Sequence, residues 1–146
     1  MTAIATIQTL LRESSISAWL LYDFRGSNSI AWSVLGIPPE SHCTRRWAVV
    51  IPAVGEPIKL VHAIENFTLD CVPAREIIYS NRTGWVQELT KIIQQFPTLA
   101  LEYSPNNAIP SVSKVDAGTV ELLWSLGAIL HSSADLIQKI QAVWSD

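Results

Sequence analysis

Two apolar runs, Ser17-Ala18-Trp19-Leu20-Leu21-Tyr22 and Trp47-Ala48-Val49-Val50-Ile51-Pro52, constrain this chain more than any other feature. Neither alternates polar with apolar positions. A strand with one face in water alternates with period two, whereas a strand covered on both faces is apolar almost throughout. Both runs therefore belong inside a sheet that carries helices on each side. Between them lies a long polar loop with Asp23, Arg25 and Asn28, followed by a short aromatic turn predicted over Ile30 to Gly36. The second run is entered through Arg45 and Arg46. Loops are where a rigid scaffold positions functional groups, so ligand-contacting residues are expected in this stretch.

The remaining chain supplies the other elements. Thr2 to Glu13 reads as an amphipathic helix with Ile4, Ile7, Leu10 and Leu11 on one face. Pro38-Pro39 rules out a continuous helix in the long loop. Ala53-Val54-Gly55-Glu56 is a turn, and Ile58 to Ile64 returns as a third strand in a hairpin. Glu65 to Cys71 is ambiguous and suits a short helix, and Glu76 to Ser80 suits a short strand. Thr83 is the predicted cap of a helix reaching about Gln95, with Trp85, Leu89, Ile92, Ile93 and Phe96 as its buried stripe.

Pro97 stops that helix, Thr98 to Tyr103 is a strand, and Ser104 to Pro110 is a loop. Ser113 with Asp116 resembles a capping box for a helix through Val120, Leu123 and Trp124 that ends at Gly127. Ala128 to His131 is the last strand. Ser132 with Asp135 opens a final helix whose stripe is Leu136, Ile137, Ile140, Val143 and Trp144. A hairpin followed by alternating strands and helices predicts a single α/β domain over residues 1–146, with a mixed sheet and helices on its faces.

Composition narrows the function. Charged residues make up 16% of the chain against a typical ~25%, and six Trp are present. That fits either a surface normally covered by a partner or a core rich in Trp. The net charge of −3 and the scattered Lys and Arg argue against nucleic-acid binding, which needs clustered positive charge. The N-terminal region lacks a basic start, and Arg12 and Glu13 interrupt it, so neither a signal peptide nor a membrane span is expected. Cys43 and Cys71 form no C-x-x-C pair and read as reduced thiols of a cytoplasmic protein, with a single disulfide as the alternative.

Familiar catalytic patterns are missing. No glycine arrangement forms a phosphate-cradling loop, and His42, His62 and His131 lie apart from one another with no metal-binding spacing. His62 and His131 sit within strands and read as packed side chains. Ser27, Ser29 and Ser33 lie near His42, but G-x-S-x-G is absent. Asp23, at the end of the first strand, is the most inviting carboxylate, because ligand sites form at strand ends in α/β sheets. A nuclease-like Mg²⁺ site would require it to meet Glu65, Glu76 or Glu102, and otherwise Asp23 caps its loop. Arg45 and Arg46, at the mouth of a strand, have the chemistry to hold a carboxylate by paired hydrogen bonds, or else stand solvated.

The order of these elements resembles a known family. A leading helix precedes Ser17 to Tyr22, and Asn28-Ser29-Ile30-Ala31-Trp32-Ser33-Val34-Leu35-Gly36 follows. Then come Arg46, a strand ending Val49-Val50-Ile51-Pro52, and Gly55-Glu56-Pro57. Later, Leu99-Ala100-Leu101-Glu102 precedes a helix, and Ala134-Asp135-Leu136-Ile137 leads into Ile140-Gln141-Ala142-Val143-Trp144-Ser145. This order resembles the N-terminal domain of the creatinase, prolidase and aminopeptidase P family, the pita-bread metallopeptidases. It departs from the family pattern at Trp32-Ser33-Val34-Leu35 and at Ala142-Val143-Trp144-Ser145, where the family usually carries Tyr-Leu-Thr and basic residues.

The resemblance implies a three-layer α/β/α unit with a mixed, ribonuclease-H-like sheet. It implies no catalytic residue, metal site or cofactor in residues 1–146. A dinuclear divalent metal (Mn, Co or Zn) is expected in a C-terminal catalytic domain, on two Asp, one His and two Glu. The implied partners are that catalytic domain and a second copy in a homodimer, with neither nucleic acid nor membrane. The implied role is non-catalytic: supporting dimerisation and covering the active site of a Xaa-Pro dipeptidase or aminopeptidase. Arg45, Arg46 and Trp32 are the candidate substrate contacts. The alternative is a free-standing binding or assembly module of the same fold without peptidase activity, and a third reading is a small nuclease-like enzyme built on Asp23.

Overall fold

The computed structural model describes residues 4–145, with side-chain surroundings through residue 143. Its elements are α1 (Ile4–Glu13), β1 (Ala18–Asp23), α2 (Ser29–Leu35), β2 (Trp47–Pro52), β3 (Ile58–His62), β4 (Arg75–Tyr79), α3 (Arg82–Gln95), β5 (Thr98–Leu101), α4 (Ala117–Ser125), β6 (Ile129–Ser132) and α5 (Ala134–Ser145). The strands form a six-stranded mixed sheet in the order β4-β3-β2-β1-β5-β6. β2 runs antiparallel to both β1 and β3, whereas β3 with β4, β1 with β5, and β5 with β6 run parallel.

The two apolar runs lie at the centre, paired with each other in a register that sets Leu20 opposite Val50. Every residue of β1 and β2 is buried, as strands sandwiched between two helical layers must be. Alternation of side chains then divides one sequence between two cores. Trp19 and Leu21, with Trp47, Val49 and Ile51, pack with α1, α2 and α5. Ala18, Leu20 and Tyr22, with Ala48 and Val50, pack with α3 and α4. The result is a three-layer α/β/α domain.

Local chemistry explains the element ends. The stretch Ile30 to Gly36, expected as a turn, is the helix α2. The Asn28 side chain accepts from Ala31 N at its start, and Gly36 closes it in the left-handed conformation at φ 68°. Pro38-Pro39 then prevents continuation. Asn81, rather than Thr83, caps α3 by accepting from Gly84 N. α4 is capped by Asp116, which accepts from Thr119 N, and Ser113 instead closes a 3₁₀ turn over Pro110–Val112. Ser132 Oγ accepts from Ala134 N where α5 begins. Glu65 to Cys71 forms turns rather than a helix; Lys59 Nζ, itself buried, donates to the Leu69 and Val72 carbonyls and fixes that segment from below.

The tryptophans mostly serve the core. Trp19, Trp47 and Trp85 are buried, Trp32 is half-buried, and Trp124 is 50% exposed. Val143, placed on the inner stripe of α5 by periodicity, is 53% exposed. The N-terminal part of the first predicted helix, at Thr2, and the Trp144 side chain lie outside the described residues.

Candidate functional site

The loop after β1 is built around Asp23. Its carboxylate is buried, with one oxygen accepting from Gly26 N at 2.9 Å and the other from Asn28 N at 2.8 Å. These bonds fold the chain back sharply, with Arg25 at φ 57° and Gly26 at φ 79°. Asp23 is thus a loop-forming residue. Of its sequence-predicted partners, Glu76 lies exposed on the edge strand β4 and Glu65 lies in the turn after β3. Glu102 shares Asn28 with Asp23, but through a different atom of Asn28. Among the described residues no three His, Cys, Asp or Glu side chains are grouped to hold a metal ion.

Glu102 forms the most unusual polar centre in the fold. It is completely buried just beyond the end of β5. Trp19 Nε1 donates to its Oε2 at 2.6 Å, and Asn28 Nδ2 donates to its Oε1 at 2.8 Å. Burial drives its pKa from 4.5 up to about 7, even though hydrogen bonding from Trp19 and Asn28 favours the charged form. Sequence reasoning recognised Glu102 only as a distant partner for Asp23. The available signal was a carboxylate closing the apolar run Leu99-Ala100-Leu101.

A cleft of about 1150 Å³ opens above the carboxyl ends of β1, β3 and β4, bounded by the starts of α3 and α4. Ligand sites in α/β folds commonly occupy this end of the sheet. Its floor is aromatic: Tyr79 lies 4.9 Å from Trp85 and 5.1 Å from His62, and Tyr22 lies 5.9 Å from Trp85. The Arg46 guanidinium stands over the Trp85 ring at 5.3 Å, and the Tyr79 hydroxyl donates to the Arg46 carbonyl. Burial pushes the Tyr79 phenol up to about 12, with the Arg46 charge acting in the opposite direction.

Arg45 and Arg46 both line this cleft. Glu65 sets their approach by accepting from Arg45 N at 2.8 Å and from the backbone and hydroxyl of Thr44. Partial burial opposes ionisation of Glu65, yet these donors and the Arg45 charge outweigh it and hold the carboxyl below its ordinary range. Trp32 is not in the same cleft. It lines a smaller pocket of about 560 Å³ with Arg25, His42 and Cys43. Burial, reinforced by the Asp23 charge, pushes the Cys43 thiol up to about 11, which leaves it a poor nucleophile near neutrality. The two openings flank one ridge: Phe24, Ser27 and Thr44 face the large cleft, while Gly26, Ser29 and Cys43 face the small one.

No protein-family model matches the chain, and no curated protein does. Solved structures do. A proline dipeptidase from Streptococcus pneumoniae superposes with a TM-score of 0.66 at 18% identity, over 98% of this chain and 99% of that one. The creatinase/prolidase N-terminal domain of an X-Pro dipeptidase from Streptococcus pyogenes gives 0.67 at 10% identity, over 93% and 96%. A dipeptidase from Pyrococcus horikoshii gives 0.69 at 12% identity, over 94% of this chain but only 36% of that chain. The chain therefore has the fold of the creatinase/prolidase N-terminal domain found in Xaa-Pro dipeptidases.

Proposed function

We propose that this domain is the non-catalytic N-terminal unit of a cytoplasmic metallopeptidase resembling Xaa-Pro dipeptidases and aminopeptidases, that it supports homodimerisation, and that it covers the active site of a catalytic domain. The observation that carries the reading is the correspondence of nearly the whole chain to about a third of the Pyrococcus dipeptidase, as one domain of a larger enzyme. Self-association is supported by exposed apolar residues on both edge strands, where Ile78 of β4 is 49% exposed and Ile129 of β6 is 57% exposed. No helix among the described residues is long and apolar enough to cross a membrane. In this reading the dinuclear divalent metal belongs to the catalytic domain. Arg45, Arg46 and Trp32, on either side of one ridge, are the groups that would meet substrate.

Incubating the purified chain with Mn²⁺ and an Xaa-Pro dipeptide should give no hydrolysis. Turnover that a chelator abolishes would overturn the non-catalytic assignment. Sedimentation should show a dimer, and a strict monomer at high concentration would overturn the assembly role. Blotting source-cell extract should reveal a native species well above the 16.1 kDa of this chain. A native species of that mass would favour a free-standing binding module instead.

A further inference from the structure

The large cleft concentrates charge that the rest of the surface lacks. Of ten Lys and Arg in the chain, four line this one opening: Arg45, Arg46, Arg82 and Lys114. They come from three separate segments, the approach to β2, the first residue of α3 and the stretch before α4. Asp116 is the one acid lining the cleft, and its oxygens are engaged by Thr119 N at 2.9 Å and Thr119 Oγ1 at 2.6 Å. None of the four cations is ion-paired, for the ion pair formed among the described residues is Lys91 with Glu88. A chain of net charge −3 thus gathers four cations against one lining acid around a concave opening, with Glu65 close enough to Arg45 for that charge to favour its ionised form. Concave walls focus such a field on whatever enters.

We propose that this cleft, which shares Arg45 and Arg46 with the peptidase reading above, binds a small phosphate-bearing organic molecule. A carboxylate carries one charge and is satisfied by one bidentate Arg, whereas a phosphomonoester or diphosphate carries about two or more and engages several donors. Three chain segments converging with four cations match the second. The volume, about 1150 Å³, far exceeds a phosphate group and leaves room for an organic portion. Phe24, 45% exposed on the lip, offers that portion an apolar ring, and the His62–Tyr79 pair lies on the floor beneath. The Ile64 N–H donates to His62 Nδ1, so in the neutral imidazole Nε2 carries the proton and is a donor.

Calorimetric titration of the intact chain with pyrophosphate and with ADP tests this. Both should bind, ADP the more tightly, and added salt should weaken both. Arg82→Glu and Lys114→Glu should each weaken binding by about tenfold or more. Lys139→Glu, on α5 across the sheet, should leave binding unchanged and serves as a charge control. Amide shifts on adding pyrophosphate to the unaltered protein should cluster at residues 45–46, 82 and 114, a readout independent of variant folding. Absence of binding by both probes at millimolar concentration overturns the proposal. So does acetate binding as tightly as pyrophosphate, or equal weakening by Lys139→Glu. Peptidase assays are unaffected by any of these outcomes, so the two readings fail separately.

Discussion

The indole N–H of Trp19 donates to Oε2 of Glu102 at 2.6 Å, joining residues 83 positions apart across the boundary between β1 and β5. Asn28 binds the other carboxyl oxygen and also donates to the Tyr22 carbonyl. One buried acid thereby connects the parallel pair β1 and β5 to the start of α2.

This arrangement makes stability fall as pH rises toward neutrality. In the unfolded chain Glu102 loses its proton near 4.5, whereas in the folded chain it keeps the proton to about 7. Between those values the folded state binds the extra proton. The favourable contribution is full below 4.5 and disappears as pH passes through about 7, a difference on the order of 3 kcal/mol. Urea midpoints measured from pH 5 to 8 should decline accordingly. Glu65, held low by its donors, acts in the opposite sense and at lower pH. Glu102→Gln should flatten the decline and cost ~1–3 kcal/mol at pH 5, because an amide NH₂ must face either the Trp19 or the Asn28 donor.

Asn28→Ala should be more damaging than an ordinary cap deletion. It removes the bond to Ala31 N that starts α2, and it leaves the Tyr22 carbonyl and Glu102 short of a donor. A loss of ~2–4 kcal/mol is expected from chemical denaturation. A loss below 1 kcal/mol would mean that water replaces the side chain.

Arg46 and Arg45 should separate cleanly. Arg46→Ala removes the cation above Trp85 and should cost ~0.5–1 kcal/mol. Arg45 is exposed, and Arg45→Ala should stay within about 0.5 kcal/mol. Equal effects in thermal unfolding would contradict the stacking.

Arg25 adopts φ 57°, where a Cβ is unfavourable. Arg25→Gly should raise stability by ~0.5 kcal/mol, the relief of strain exceeding the added freedom of the unfolded chain. A drop in thermal midpoint would show that the Arg25 side chain makes a compensating contact.

Much of the fold was legible in the chain because it depends on neighbours in sequence. The continuous apolar runs at Ala18–Tyr22 and Trp47–Ile51 required cover on both faces, and the stripe of Trp85, Leu89, Ile92 and Ile93 required a helix. The misplaced features were local competitions. Asn28 and Gly36 bracket only seven residues, too few for periodicity to mark α2 as a helix, and Asn81 outcompetes Thr83 as a cap because its side chain reaches Gly84 N.

The candidate sites were far less legible, for the same physical reason in reverse. Sequence alone placed Asp23, Arg45 and Arg46 at strand ends and Glu102 within a strand predicted over Thr98 to Tyr103, whereas β5 ends at Leu101. Only the tertiary structure decided their surroundings. It turned both Asp23 oxygens toward its own loop, enclosed Glu102 between Trp19 and Asn28, and gathered Arg45, Arg46, Arg82 and Lys114 around one opening. Those relations span up to 83 residues and arise from strand order and register, which no spacing in the chain encodes.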